Sequence, residues 1–136
     1  MSSRKVASQM SRSLALVTGA ASGIGRATAL RFASEGMEVV ALDRSGEALE
    51  TLIAEGRGAG PMHACRFDLS RTGSIPGLVK RLVRRHGAIT VLVNNAAVWF
   101  SEPLIHIQDK NWDMTMRVNV TAPMALMRAA ALFSRA

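Results

Sequence analysis

The stretch LALVTGAASGIGRATAL, Leu14 to Leu30, decides how this 136-residue chain folds. Leu14, Ala15, Leu16 and Val17 are apolar without a break, which suits a strand buried on both faces of a parallel sheet. Glycines follow at Gly19, Gly23 and Gly25, and then comes the helix-forming run Arg26 to Ala33. A strand, a glycine-rich turn and a helix in that order make an anion site. The first N–H groups of a helix have no intrahelical partners and lie at the positive end of its dipole. A glycine backbone can approach the anion closely because no Cβ intervenes.

Three glycines alone are weak evidence, because a loop that merely needs positive φ values shows the same pattern. The next apolar run, Met37 to Leu42, adds the missing context, since it ends in Asp43, eighteen residues after Gly25. That distance is near the roughly 20 residues that place a carboxylate on an adenosine ribose in a dinucleotide site. The Lys-Ser/Thr pair of a nucleotide-triphosphatase loop is missing after Gly25, which removes that rival.

Composition narrows the field further. Hydrophobic residues make up 49% and charged residues 20%, the balance of one globular domain, and no apolar run reaches the length of a bilayer span. We therefore expect no membrane partner. The one cysteine, Cys65, excludes an internal disulfide and suits a reducing, cytoplasmic setting, where it reads as a small core residue. The net charge is +7, with a basic cluster at Lys80, Arg81, Arg84, Arg85 and His86. These residues alternate at helical spacing with Leu78, Val79, Leu82 and Val83, as on the wet face of an amphipathic helix. No aromatic residues interleave with them and the chain has no tyrosine, so no nucleic-acid partner is expected. Residues 1–12, MSSRKVASQMSR, lack an apolar core of the kind a secretory signal needs and read as a disordered basic tail. Residues 13–136 read as the domain.

A helix is expected from Ser45, a suitable N-cap, through Glu55, and a third strand over Met62 to Phe67. The basic helix follows and stops at His86-Gly87. Ile89 to Val93 is a further strand running into Asn94-Asn95-Ala96-Ala97. The repeated alternation of strand and helix predicts a parallel sheet with right-handed crossovers and strand order 3-2-1-4. Trp112 to Phe133 reads as one long helix with Asn119 inside it and Pro123 four residues later. Proline has no N–H, so the Asn119 carbonyl loses its i+4 donor.

Taken together, TGAASGIG at 18–25, Asp43, Asp68-Leu69, NNAA at 94–97 and Val118-Asn119-Val120 resemble the short-chain dehydrogenase/reductase family. They occur in its order and at its spacing over essentially the whole chain after the tail. The resemblance implies an α/β fold, a Rossmann-type doubly wound parallel sheet of about four strands with helices on both faces. It implies an oxidoreductase that moves hydride between a nicotinamide cofactor and a small-molecule alcohol or carbonyl substrate, and a homo-oligomer in a complete form. Gly19, Gly23, Ile24 and Gly25 would wrap the pyrophosphate, and Ser22 in the same loop would also bind the cofactor. Asp43 would accept from both adenosine-ribose hydroxyls and repel a 2′-phosphate, which favours NAD over NADP. Arg44 beside it is the residue that would favour a 2′-phosphate, with Ser22 and Arg26 pointing more weakly the same way. Asp68 and Leu69 would contact the adenine, and Asn95, Ala96 and Ala97 would line the cofactor beyond the fourth strand. Asn119 would hold a water of the proton relay through its main-chain carbonyl. Each has a plainer alternative: Asp43 and Asp68 as turn caps at strand ends, Asn94 and Asn95 as turn residues joining strands, Pro123 as a packing kink.

The family's proton donor is a tyrosine, assisted by a lysine and a serine on elements that follow the asparagine helix. This sequence has no tyrosine, and none of Lys5, Lys80 and Lys110 lies in a YxxxK pattern. The 136 residues are thus expected to carry an incomplete Rossmann-type domain, inactive alone, whose single catalytic-set residue is Asn119. The alternative is a non-catalytic nucleotide-binding or interaction module.

Overall fold

The computed structural model describes residues 13–135; the proposed basic tail, residues 1–12, lies outside them. Four strands, β1 (Leu14–Thr18), β2 (Glu38–Asp43), β3 (Met62–Arg66) and β4 (Ile89–Val93), form one sheet in the order β3-β2-β1-β4. All three pairings are parallel. Helices α1 (Gly23–Ser34), α2 (Gly46–Glu55) and α3 (Ile75–His86) carry the chain between successive strands. After β4 come α4 (Asp109–Met116), a π-helical segment (Arg117–Thr121) and α5 (Ala122–Phe133).

The unbroken apolar runs of β1 and β2 follow from burial on both faces. Alternate residues point to opposite sides of a strand. Leu14 and Leu16 of β1 and Val40 and Leu42 of β2 pack with Leu78, Val79 and Leu82 of α3 and Ala122, Leu126 and Ala129 of α5. Ala15, Val17, Val39 and Ala41 turn the other way, onto Ala29 and Ala33 of α1 and Leu49 and Leu52 of α2. Leu16 and Leu42 are fully buried, and each contributes about 2 kcal/mol of hydrophobic stabilisation relative to an exposed side chain. The strand order 3-2-1-4 with helices on both faces is as the sequence predicts; α1 and α2 cover one face and α3 and α5 the other.

Two helices differ from expectation at their boundaries. Helix α1 begins at Gly23, not Arg26, so Gly23, Ile24 and Gly25 are its first turn. The long terminal helix begins earlier, at Asp109, and is not uniform. At Arg117–Thr121 it widens to π geometry, where the Ala122 N–H donates to the Arg117 carbonyl five residues back. Pro123 sits at the start of the α-helix that resumes. Finally, α5 is apolar because one face is core: Ala122, Ala125, Leu126, Ala129 and Ala130 are buried, and Met124, Met127 and Leu132 face outward. Ser45 does cap α2, its Oγ accepting from the Ala48 N–H at 3.4 Å. Among the described residues, no helix is long and apolar enough to cross a membrane.

Candidate dinucleotide site

In a parallel sheet all strands end at the same edge, and there the topology gathers the residues singled out above. Gly19 to Gly25 follow β1, Asp43 ends β2 with Arg44 just after it, Asp68 and Leu69 follow β3, and Asn95 to Ala97 follow β4. The order 3-2-1-4 makes the space above β1 and β4 the point where the crossovers change direction, the usual place for a ligand in such a sheet.

The loop after β1 is held at the backbone. Ala20 N–H donates to the Leu42 carbonyl at 3.1 Å, and Ala21 N–H donates to Asp43 Oδ2 at 3.1 Å. Asp43 Oδ1 accepts from the Ser45 N–H at 3.0 Å. Asp43 therefore does what the plain reading required, capping the turn that opens α2, and also pins the glycine loop. Each carboxylate oxygen keeps a second acceptor direction, so this does not exhaust its capacity for hydroxyl donors.

Gly19 and Gly23 have φ of 63° and 53°, the left-handed region where side chains are strained. A Cβ at Gly19 would lie 2.9 Å from the Ala96 Cα and from Asn95 Nδ2. One at Gly25 would overlap the Gly19 carbonyl oxygen and sit 2.5 Å from Asn95 Nδ2. At Gly23 a Cβ would meet nothing within 4 Å, so that position is open on its outer side. Ser22 is the α1 N-cap residue but makes no side-chain cap bond, which leaves the first-turn N–H groups for an anion. Ile24 in that turn is 78% exposed. Arg26, a possible partner for a 2′-phosphate, pairs with Glu55 of α2 instead.

Asn95 is turned into the protein. Its Nδ2 donates to the Thr18 carbonyl at 3.1 Å and to the Gly19 carbonyl at 3.2 Å, which fastens the end of β4 to the glycine loop. Thr18, which sequence reasoning missed, completes this junction. Its buried hydroxyl donates to the Val93 carbonyl at 3.2 Å and accepts from the Asn95 and Ala96 N–H groups at 3.0 Å each. The one available signal was a polar residue ending an otherwise apolar buried strand. Ala96 is half-buried and Ala97 exposed.

Beyond β3, Asp68 is exposed and Leu69 is buried in the core. Hydrogen bonds from the Ser70 N–H, at 2.9 Å, and the Ser70 hydroxyl hold the Asp68 carboxyl below its ordinary pKa, with smaller help from the charges of Arg44 and Arg71. Asn119 lies in the π segment and clamps the chain after β4. Its Oδ1 accepts from the Val98 N–H and its Nδ2 donates to the Val98 carbonyl, both at 2.8 Å. Its side chain is thus committed to the backbone, which leaves the main-chain carbonyl as the group available for another role. Trp99 and Phe100 line a small cleft with Glu102, Ile107, Asn111, Trp112 and Thr115. A cleft of about 620 Å³ lies elsewhere, along the β3 edge between α2 and α3.

A parallel sheet in this order, with an uncapped helix N-terminus behind left-handed glycines and an acid at the tip of β2, defines a Rossmann-type dinucleotide-binding protein. The family model of short chain dehydrogenase matches residues 13–133. Among curated proteins, the chain is 40% identical over 106 residues to the 3-oxoacyl-(acyl-carrier-protein) reductase FabG of Thermotoga maritima, covering 77% of this chain and 43% of that protein. It is 37% identical over 118 residues to a sorbitol dehydrogenase of Cereibacter sphaeroides, covering 86% and 45% respectively. Among solved structures, it superposes on a metagenomic short-chain oxidoreductase in complex with NADP with a TM-score of 0.85 at 37% identity, covering 90% of this chain and 56% of that one. The chain belongs to the short-chain dehydrogenase/reductase family, whose members are oxidoreductases that bind a nicotinamide cofactor. It spans less than half the length of these two curated relatives.

Proposed function

We propose that these 136 residues are the cofactor-binding portion of an oxidoreductase acting on a small alcohol or carbonyl compound, and that the cofactor is NAD. The observation that carries this is the first turn of α1. Gly23, Ile24 and Gly25 form it directly behind β1, uncapped, at a point where Gly25 admits no Cβ. The cofactor's pyrophosphate fits such a cradle. The preference for NAD rests on Asp43, whose charge opposes a 2′-phosphate and whose oxygens each retain an acceptor direction for ribose hydroxyls. Arg44 is exposed and is the group that would favour NADP, the cofactor held by the metagenomic relative.

When bound, the nicotinamide supplies the hydride donor or acceptor. The chain's own residues hold and orient it. Gly19 to Gly25 and Asp43 fix the adenosine half, and the Thr18–Asn95 junction sets the distance between the glycine loop and the end of β4. We also propose that the Asn119 carbonyl serves the proton path, since Pro123 gives it no helical donor. With no tyrosine present, these residues alone are expected to bind cofactor without turning over substrate. The outward Met124, Met127 and Leu132 of α5 are the surface we assign to self-association in a longer chain, and the single cysteine supports a cytoplasmic setting.

The test is affinity for NADH and NADPH, measured by calorimetry on the wild-type chain and on Asp43→Ala. The expected outcome is at least about 10-fold preference for NADH, equivalent to 1.4 kcal/mol, and a fall or reversal of that ratio in the variant. An equal loss of both affinities would show that Asp43 acts only by pinning the loop.

A further inference from the structure

At the opposite end of the strands from the dinucleotide site, three side chains from three elements meet. Glu38 opens β2, His63 lies near the start of β3, and His86 is the last residue of α3. Both imidazoles address the same carboxylate oxygen: His63 Nε2 lies 2.9 Å and His86 Nδ1 3.0 Å from Glu38 Oε1. The two rings are 4.3 Å apart between centroids and tilted by 38°. One nitrogen from each ring and the carboxylate oxygen all lie within 4.8 Å of one another.

We propose that Glu38, His63 and His86 form a three-ligand site for a divalent transition-metal ion of the zinc class. Two imidazoles and one carboxylate are a donor set that Zn2+ takes with a fourth position left open, at bond lengths of about 2.0–2.2 Å. Such bonds require the three donor atoms to stand a few ångströms apart around a common point, and the observed cluster is already of that size. Without an ion, a single oxygen receives two ring N–H groups. With one, each ring presents a lone pair to the metal and carries its proton on the far nitrogen. The ligands come from a fixed scaffold, because the β2–β3 register pairs Val40 with His63 and the His86 side chain is only 8% exposed.

His63 and His86 also line the large cleft along the β3 edge, together with Arg57, Arg81 and Arg85. Those guanidiniums oppose a bare dication, and an anion from solvent at the open position, such as chloride, offsets them. The ion would tie α3 to β2 and β3, so binding should raise thermal stability.

The experiment titrates the untagged, metal-free chain with ZnCl2 by calorimetry and with CoCl2 by visible absorption. The expected result is one ion per chain, the d–d bands of four-coordinate Co2+, and an upward shift of the melting temperature. Affinity should fall at least about 10-fold in His63→Gln and in Glu38→Gln, and should be unchanged in His106→Gln and Cys65→Ser. No binding, a smaller loss in both ligand variants, or a loss in His106→Gln or Cys65→Ser would overturn the proposal. His63 and Glu38 are partly exposed, at 37% and 31%, so these variants keep the test decisive if replacing the buried His86 unfolds the chain.

Discussion

The hydroxyl of Thr18 is shared by the Val93 carbonyl and the Asn95 and Ala96 N–H groups, all at the junction of the glycine loop with β4. Thr18→Val keeps the shape but removes the partner of the Ala96 N–H and leaves the Asn95 N–H and the Val93 carbonyl only their bond to each other, at 3.1 Å, which should cost about 1–3 kcal/mol in urea denaturation. Thr18→Ser retains the hydroxyl and should cost less than half as much; equal losses would mean that packing, not hydrogen bonding, sets the effect. Asp68 makes a prediction in pH. Its carboxyl is held below the unfolded value of about 3.9, so the stability it contributes is present above that value and lost as pH falls through the lower, folded one. The stability difference between wild type and Asp68→Asn, followed by melting temperature, should therefore be constant from pH 7 to about pH 5 and shrink below about pH 4. The group is exposed, so the change will be small; a difference that persists at pH 2 would contradict it. At this scale the acids and glycines were legible because each residue type announces its chemistry. Thr18 was not, because its importance comes from partners more than seventy residues away.

The interrupted terminal helix is the element whose form carries the most consequence. Pro123 withdraws a donor from the Asn119 carbonyl, and the backbone answers with a π turn over Arg117–Thr121. That turn places Asn119 where its amide can clamp Val98, the residue that follows the NNAA run. In Asn119→Ala both bonds vanish, and the Val98 amide should exchange faster by roughly 10-fold or more, while amides of β1 keep their protection. Equal exchange in the two proteins would show that the clamp holds nothing. The proline and the freed carbonyl were readable in sequence. The π register and the clamp were not, since both depend on a loop that passes close only after the sheet has formed. For the same reason α1 began earlier than its helix-formers indicate: glycines disfavour a helix interior but suit a first turn whose N–H groups stay open.

For the whole molecule, the apolar runs of β1 and β2 and the alternation of strand and helix were enough to give the sheet, its order and its two covered faces. Distant side-chain meetings were not, as Glu38, His63 and His86 show: their separations of 25 and 48 residues have no local signature. The central claim is that this fold presents one dinucleotide site, at the strand ends around the glycine loop. The most direct test is an amide NMR titration of the chain with NADH. The account predicts saturable shifts at Gly19 to Gly25, Ser45 and Ala96, none at the β3 edge around His63, and no saturable shifts at any of these amides in Gly25→Ala. Shifts centred on the β3 cleft, or an unchanged titration in Gly25→Ala, would contradict it.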